Sequence, residues 1–435
     1  MIVLMKILQV LLALSILVAI HELGHFLFAK MFRIRVDKFY LFFDIGGFAL
    51  FRFKPKGSDT EYGIGWLPLG GYCKIAGMID ESMDTESLKQ PPQPWEFRSK
   101  PAWQRLLVMS GGVLFNFIFA IMLYIGILAG WGESYISNDG NSIYVNDLAY
   151  EMGFRNGDRI LKFDDYVPER FEMLQADLAR KTAQKATVLR NGDTLDIYID
   201  QNMIGDVLNT PGMFDLAVPF VVESTAPGSL NEDAGLESGD RIIAIDSHPV
   251  EYLQDSRRLL ADLSGQNIPV TIVRDSDTSE IVLQVDTTGR LGLYTRMPGL
   301  KTMEYSVLEA IPAGFRLTFD TIGGYLQDLK LVFTPSTEAY KSVGSFIAMG
   351  QIFPASWDWY RFINILALLS IMLGVMNLLP IPALDGGHIV FTVYEMITGH
   401  KPSDRFLTVA QIIGMILLFG LMILAFGNDI GRLFR

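Results

Sequence analysis

The chain is short of charged residues and carries more acids than bases. Only 19% of its 435 residues are charged, whereas globular domains average about 25%. Its 36 lysine and arginine residues against 48 aspartate and glutamate residues give a formal net charge of −12. A surface that binds nucleic acid needs clustered basic residues, so no nucleic-acid partner is predicted. The single cysteine, Cys73, excludes a fold held together by internal disulfides.

Long uncharged runs take the place of the missing charge. Half of the residues are hydrophobic, and the mean hydropathy is +0.29. A helix that spans a bilayer needs about 20 mostly apolar residues, and the sequence predicts such helices at residues 1–30, 103–130, 359–385 and 405–428. A signal peptide is the alternative for the first run, but no small-residue cleavage site closes it, which favours a retained helix. The predicted fold class is a polytopic α-helical membrane protein with four transmembrane helices.

Basic residues near the helix ends predict how the chain is oriented. They cluster in residues 31–102 and 386–404, whereas residues 131–153, which follow the second helix, contain none. By the positive-inside rule, the region 31–102 and the loop 386–404 face the cytoplasm. Residues 131–358 and both termini are then periplasmic. The predicted location is the bacterial inner membrane, in a multi-pass arrangement with the lipid bilayer as a partner.

The periplasmic segment contains an internal repeat. Gly153–Leu161 matches Gly235–Ile243, and both copies contain the string G-D-R-I. A period of about 80 residues is too long for a solenoid unit, so two small α+β domains are predicted, at residues 131–215 and 216–298. The string resembles PDZ domains, which can bind a peptide as an added strand; a spacer without a ligand is the alternative. Residues 299–358 carry too much charge for a span and are predicted to form amphipathic interfacial helices.

The first apolar run contains the motif H-E-L-G-H. Positions i and i+4 of a helix share one face, so His21 and His25 can both bind one zinc ion. Glu22 lies beside them and can accept a proton from a water molecule at the metal. Ionisable side chains are costly inside an apolar span. The motif therefore favours a metal site over a pair of buried core histidines.

A catalytic zinc ion takes three protein ligands and leaves a fourth position open. The remaining histidines lie outside the membrane or in or near the cytoplasmic loop, at His248, His388 and His400. Asp385 lies at the cytoplasmic end of the third span, at the depth predicted for the motif in the first. Pro380 and Pro382 break the helix just before it, and such breaks are tolerated where the backbone lines a cavity. Asp385 is the predicted third ligand; a turn aspartate before two glycines is the alternative.

Together these motifs resemble the site-2 protease family. H-E-L-G-H lies in the first span, N-x-x-P-x-P-x-L-D-G runs from Asn377 to Gly386 in the third, and the PDZ-like repeat lies between the second and third. The resemblance covers nearly the whole chain. It implies an intramembrane zinc metalloprotease in which His21, His25 and Asp385 bind Zn²⁺ and Glu22 is the general base. Asn377 would position substrate or stabilise the oxyanion, with a helix-packing amide as the alternative.

The resemblance also implies the substrates. They would be single-span membrane proteins, such as anti-sigma factors already trimmed by another protease in an envelope stress response, or signal-peptide remnants. The family places a membrane-dipping β-hairpin after the first helix, and residues 60–72 are glycine-rich and apolar enough to form it. Such a hairpin could hold an unwound substrate by strand addition; an ordinary cytoplasmic hairpin is the alternative. No role is predicted for the acidic, proline-containing loop 78–100, and no oligomeric state.

Two other classes of function remain open. A membrane-anchored zincin with a cytoplasmic-facing active site would need a third ligand on a soluble helix after H-E-x-x-H. Residues 31–102 offer no helix of that kind. A non-catalytic PDZ scaffold or transporter would have kept a complete zinc motif without using it. Zinc analysis separates this last class from the two proteases.

Overall fold

A computed structural model describes residues 2–68, 70–78, 91–297 and 299–433 of the chain. The helices are α1 (Ile2–Met31), α2 (Ala102–Trp131), α3 (Asp147–Glu151), α4 (Leu174–Arg180), α5 (Ile204–Asn209), α6 (Leu253–Asp262), α7 (Val307–Val332), α8 (Phe346–Ile352), α9 (Trp359–Leu378), α10 (Asp385–Thr398) and α11 (Asp404–Leu433). The strands are β1 (Val36–Leu41), β2 (Ala49–Phe53), β3 (Glu61–Gly65), β4 (Tyr72–Ile75), β5 (Glu133–Ile136), β6 (Ile143–Val145), β7 (Arg159–Phe163), β8 (Lys185–Arg190), β9 (Asp193–Tyr198), β10 (Phe214–Leu216), β11 (Val222–Thr225), β12 (Arg241–Ile245), β13 (His248–Pro249), β14 (Asn267–Arg274), β15 (Asp277–Gln284), β16 (Leu293–Thr295) and β17 (Leu300–Met303).

Two compact units divide the chain. The helical unit contains Met1–Glu133, Glu304–Phe333 and Tyr340–Arg435, and the repeat unit contains Ser134–Met303 and Thr334–Ala339. Four helices of the helical unit are long and apolar enough to cross a membrane, at Ile2–Met31, Ala102–Trp131, Trp359–Leu378 and Arg405–Gly431. These helices and the β-sheets fit a polytopic membrane protein.

The third apolar helix is shorter than the predicted span 359–385. It ends at Leu378, because Pro380 and Pro382 lack the N–H groups that would continue it. The predicted loop at 386–404 is wrong over most of its length, since α10 occupies Asp385–Thr398. Apolar residues recur along this segment at helical spacing, and Gly399, in the left-handed conformation, ends the helix.

Helix α2 lies at the centre of the helical unit and packs against α1, α7, α9 and α10. It is in backbone contact with α1, where a Cβ atom at Gly24 would lie only 2.2 Å from the Gly111 carbonyl oxygen. Small residues allow two helix backbones to approach this closely. The same helix shares a hydrophobic cluster with α9, built around Ala120, Tyr124 and Ile371.

A four-stranded sheet follows α1 in the order β2-β3-β1-β4. Strand β1 pairs in parallel with β3 and antiparallel with β4, and β2 pairs antiparallel with β3. The predicted hairpin at 60–72 is therefore wrong in its pairing. β3 and the start of β4 lie on opposite sides of β1, and the hairpin in this region joins β2 to β3. Leu69, and residues 79–90 of the loop 78–100, lie outside the described residues.

Residues 299–358 contain the last strand, β17, and the helices α7 and α8. Ser306 and Glu309 form a capping box at the start of α7. This helix lies along α2, where a Cβ atom at Gly314 would be 2.5 Å from Ile125 Cγ1. The buried face of α7 contains Ala310, Gly314 and Thr318, whereas the Arg316–Asp320 pair is exposed on the other side.

In the repeat unit, the two sequence copies make the same ion pair, between a buried aspartate and a partly exposed arginine. Asp158 accepts from the Arg190 guanidinium at 2.7 Å and caps the backbone N–H of Arg155 at 2.9 Å. Asp240 accepts from Arg274 at 2.7 Å and caps the N–H of Glu237 at 2.8 Å. Each arginine also donates to a glycine carbonyl at the start of its copy, 2.9 Å away. The sequence repeat is therefore also a structural repeat.

Candidate metal centre

Two helices bring three potential metal ligands together. His21 and His25 lie one turn apart on α1, and Asp385 is the first residue of α10. Asp385 Oδ2 lies 3.2 Å from His21 Nε2 and 3.3 Å from His25 Nε2, and the two Nε2 atoms are 3.4 Å apart. Among the described residues, these three side chains form the group whose ligand atoms lie close enough together to bind one metal ion.

These three atoms fit a tetrahedral zinc ion. Zinc binds imidazole nitrogen and carboxylate oxygen at about 2.0–2.2 Å, which separates neighbouring ligand atoms by about 3.3–3.5 Å in a tetrahedron. The three observed separations, 3.2, 3.3 and 3.4 Å, lie close to this range. Asp385 Oδ2 is also buried and has no hydrogen-bond partner among the described residues. A bound cation would satisfy this otherwise costly buried oxygen.

The position of Asp385 depends on a tight turn between α9 and α10. The Leu379 N–H donates to the Met376 carbonyl, and the chain turns back at Ile381 and Leu384. Gly386 packs against the end of α9, where a Cβ atom would lie 2.1 Å from the Leu379 carbonyl oxygen. Only glycine fits at this position, which explains why a glycine follows Asp385.

Helix α2 packs against the two imidazole rings. His25 Nδ1 donates to the Val108 carbonyl at 2.8 Å, which leaves Nε2 unprotonated and available to a metal. Gly112 lies directly against both rings, because a Cβ atom there would be 2.5 Å from His25 Nε2 and 2.6 Å from His21 Cε1. The imidazole positions therefore depend on the absence of a side chain at Gly112.

The remaining two predicted site residues lie at the edge of this group. Glu22 is next to His21 on α1, and its carboxylate accepts a hydrogen bond from the backbone N–H of Cys73 in β4. Asn377 is in the last turn of α9, and its Nδ2 atom lies 3.4 Å from His21 Nε2. The structure thus places a carboxylate and an amide donor beside the potential metal ligands.

The sequence motifs indicate no role at the site for Val108, Gly112, Asn116 or Cys73. Asn116 had a usable signal, because it is a polar side chain in the middle of an otherwise apolar span. Val108 and Cys73 contribute only backbone groups, so the residue types at these positions do not indicate the contacts. The histidines outside H-E-L-G-H do not join the group; His248 Nδ1, for example, lies 2.8 Å from the Asp246 carbonyl in the repeat unit.

Helix α2 also gives the depth of the group along the helical unit. Gly112 lies nine residues after Trp103 and nineteen before Trp131, or about 13 and 28 Å along the helix axis. Both tryptophans are half-exposed, at 50% and 52%. The potential ligands therefore lie about a third of the way along an apolar helix, not at its end.

Known proteins resemble this chain over nearly its whole length. The model of peptidase family M50 matches residues 9–421. The regulator of sigma-E protease RseP of Escherichia coli is 28% identical over 452 residues, which cover 97% of each chain. A Xylella fastidiosa protein whose name reads "Putative zinc metalloprotease" is 29% identical over 444 residues, which cover 96% of each chain.

Proposed function

We propose that this chain, which belongs to peptidase family M50, the site-2 protease family of zinc metallopeptidases, hydrolyses peptide bonds within membrane-spanning segments of other proteins. The observation that carries this proposal is the group of His21, His25 and Asp385. Its separations match a tetrahedral zinc site, and it lies well inside the length of α2 rather than at a helix end.

The depth of the group supports cleavage inside the bilayer. Tryptophan is enriched at membrane–water interfaces, and Trp103 and Trp131 are separated by about 42 Å of helix, close to the full thickness of a bilayer with its headgroups. If these residues mark the two interfaces, Gly112 and the neighbouring histidines lie in the hydrocarbon. The Trp103 end is the cytoplasmic one in the orientation that the basic residues favour.

Each site residue has a separate task in this proposal. His21, His25 and Asp385 hold the zinc ion, which when bound acidifies water and polarises a carbonyl group. Glu22 accepts the proton that the attacking water gives up and returns it to the leaving amine. The Cys73 N–H orients the Glu22 carboxylate for this transfer. The Asn377 amide donates to the substrate carbonyl oxygen as negative charge develops there.

Strand β4 is the best candidate for holding the substrate. β4 is the last strand of its sheet, so one of its edges pairs with β1 and the other faces away from β1. The Cys73 N–H on that edge reaches Glu22. A substrate segment that adds along this edge would place its backbone beside the proton acceptor. The hypothesis of strand addition thus moves from the predicted hairpin at 60–72 to β4.

The β2–β3 hairpin and the segment just before it form an exposed apolar surface on the other side of β1 from β4. Its apolar side chains are more than half exposed at Ile45, Phe48, Leu50, Phe51 and Phe53. A contiguous exposed apolar patch marks a surface that binds a protein or a membrane. We assign this patch to the bilayer, which makes the sheet membrane-associated, as the fold class predicts.

The repeat unit would control which substrates reach the site. In the first copy the chain itself fills the space beside α4, because Gln175 donates to the Val207 and Thr210 carbonyls at 2.6 and 2.8 Å and accepts from the Met213 N–H at 3.1 Å. A peptide would have to displace these contacts. Capture of a new C-terminus is thus confined to the second copy, and we favour exclusion of substrates with bulky outer domains.

Single-span proteins that another protease has already trimmed fit this arrangement best. Anti-sigma factors in an envelope stress response and signal-peptide remnants are such substrates. An extracytoplasmic filter requires the repeat unit and both termini to lie in the periplasm, with residues 31–102 and the α10 end in the cytoplasm. The membrane would be the inner membrane of a bacterium.

A Glu22→Gln variant tests the proposal. Purified full-length protein in detergent is incubated with a single-span membrane segment, and the products are mapped by mass spectrometry. The variant should keep one zinc ion per chain, because the ligands remain, while cleavage falls by about 10²–10⁴-fold. Glu151→Gln, an exposed change on α3, is the matched control. Wild-type protein without zinc, or a Glu22→Gln variant with full activity, would refute the proposal.

A further inference from the structure

His21 has a neighbour on α2 that the proposed mechanism does not use. Its Nε2 atom faces Asp385, and its other ring nitrogen, Nδ1, lies 3.0 Å from the Asn116 side-chain amide, at the atom assigned as Nδ2. Asn116 is completely buried. Its side-chain oxygen is also buried and has no hydrogen-bond partner among the described residues.

The protonation of His21 decides what this contact must be. A neutral imidazole has one protonated nitrogen, so a ring that binds metal through Nε2 carries its proton on Nδ1. The assigned amide orientation would set this N–H against an NH₂ group, which places two donors face to face. The oxygen and nitrogen of an asparagine amide are distinguished by their hydrogen-bond partners. Exchanging them puts the side-chain oxygen 3.0 Å from Nδ1, as an acceptor.

We propose that Asn116 is a positioning residue for the metal centre, whose side-chain oxygen accepts the His21 Nδ1–H and thereby directs Nε2 at the zinc ion. The inference rests on the proposed role of His21 as a ligand. The second histidine has the same arrangement, because His25 Nδ1 donates to the Val108 carbonyl at 2.8 Å. Helix α2 therefore supplies the outer hydrogen-bond partner of both imidazoles, once from its backbone and once from a side chain.

The surroundings of Asn116 fix it in this position. Ser370 on α9, itself fully buried, donates from Oγ to the Asn116 backbone carbonyl at 2.8 Å. This contact joins α2 to the helix that ends at Asn377. A packing role alone would be filled at lower cost by an apolar side chain of similar volume, since a buried polar atom without a partner costs about 1–3 kcal/mol. The polar group at this position is explained by the imidazole that it faces.

Two substitutions separate positioning from packing. Asn116→Leu keeps the volume and removes the acceptor, whereas Asn116→Asp keeps the acceptor and removes the donor. Loss of an outer partner of a metal ligand typically weakens metal binding by 10–100-fold. We expect this loss in Asn116→Leu, measured by chelator competition on full-length protein, and zinc binding within a few fold of wild type in Asn116→Asp. Asn364→Leu, on the exposed side of α9, is the control for an asparagine that contacts no imidazole.

A second readout avoids any dependence on proteolysis. Substitution with Co²⁺ gives a visible spectrum that reports the ligand geometry, and we expect this spectrum to change in Asn116→Leu and to be preserved in Asn116→Asp. If Asn116→Leu does not fold, Asn116→Ala is compared with Asn116→Asp in the same way. Wild-type zinc affinity in the variant without an acceptor would overturn the inference, and so would an aspartate variant as weak as leucine. Zinc-free wild-type protein would instead refute the proposed function.

Discussion

Replacing Gly112 with alanine should disable the metal centre without touching a ligand. The new methyl carbon would lie 2.5 Å from His25 Nε2 and 2.7 Å from His21 Nδ1, whereas Cβ atoms essentially never approach other atoms closer than 3.0 Å. The His25 ring must therefore withdraw by about 0.5 Å to reach even that limit. Metal–ligand distances tolerate deviations of only about 0.2 Å, so the ring cannot withdraw and keep its place in the group.

The helices cannot relieve this clash by moving apart at low cost. Gly24 and Gly111 are already in backbone contact, and separating α1 from α2 would also break the 2.8 Å hydrogen bond from His25 to Val108. Either response displaces a ligand or its outer partner. We therefore expect zinc affinity to fall by at least 10–100-fold, or about 1.4–2.7 kcal/mol, and proteolysis to fall with it.

Chelator competition on purified full-length protein measures this loss, with Gly126→Ala as the matched control. Gly126 is on the same helix, and nothing lies within 4 Å of its Cβ position. Alanine there should leave zinc affinity unchanged and favour the helix by up to about 1 kcal/mol. A Gly112→Ala protein that binds zinc as tightly as the Gly126→Ala protein would show that the imidazoles do not depend on this glycine.

Two further predictions concern the sheet and the repeat unit. Ile64→Pro removes a backbone hydrogen-bond donor from β3, which lies between β1 and β2. The rate of cleavage should fall by tenfold or more, which corresponds to about 1.4 kcal/mol, while zinc content stays normal. Cleavage kinetics equal to those of the control Ile64→Val would contradict a role for the sheet in holding substrate. Asp240→Ala leaves Arg274 without its buried partner and should speed limited proteolysis of the second repeat by roughly tenfold relative to Asp196→Ala, an exposed pair. If the repeat unit excludes substrates with bulky outer domains, the loosened repeat should let an untrimmed substrate be cleaved. If the second copy instead binds the new C-terminus of a trimmed substrate, the variant should only slow cleavage of that trimmed substrate. The Arg274 side chain lowers the pKa of Asp240, so its stabilising effect is present above the ordinary aspartate pKa and is lost as the pH falls through the lowered value.

Local patterns in the sequence predicted the grouping of His21, His25 and Asp385 better than the pairing of the sheet. The i and i+4 spacing of His21 and His25 depends only on helix geometry, and that geometry holds for any helix that contains the motif. The prediction that Asp385 lies near the two histidines rested on its depth in the membrane, because Pro380 and Pro382 mark where the third span ends. The pairing of β3 with β1 is parallel, and about twenty residues separate the two strands. Alternation of apolar residues indicates that a strand exists, but it does not name the partner.

Helix α10 was missed for a related reason. Its first turn contains Gly386 and Gly387, which are poor helix formers and are typical of loops. They are tolerated because Gly386 packs against the end of α9 and Gly387 against Ile381 and Pro382 in the turn, which leaves no room for a side chain at either position. This requirement comes from contacts of α10 with the end of α9 and with the turn before it, and no single segment shows it alone. The backbone partners of the site, at Val108 and Cys73, were out of reach of residue-type patterns for the same reason.

The location of the site also explains why a β-strand should accompany it. A peptide bond in a helix is shielded by its own turn, so under the proposed mechanism a substrate would have to unwind before Glu22 could assist attack on it. Inside hydrocarbon each unpaired backbone group costs several kcal/mol, and an unwound stretch of three residues exposes several such groups. Strand β4 has backbone groups on the edge that faces away from β1, including the Cys73 N–H that reaches Glu22. Strand addition there would replace the hydrogen bonds that unwinding breaks, at the place where the bond is to be cut.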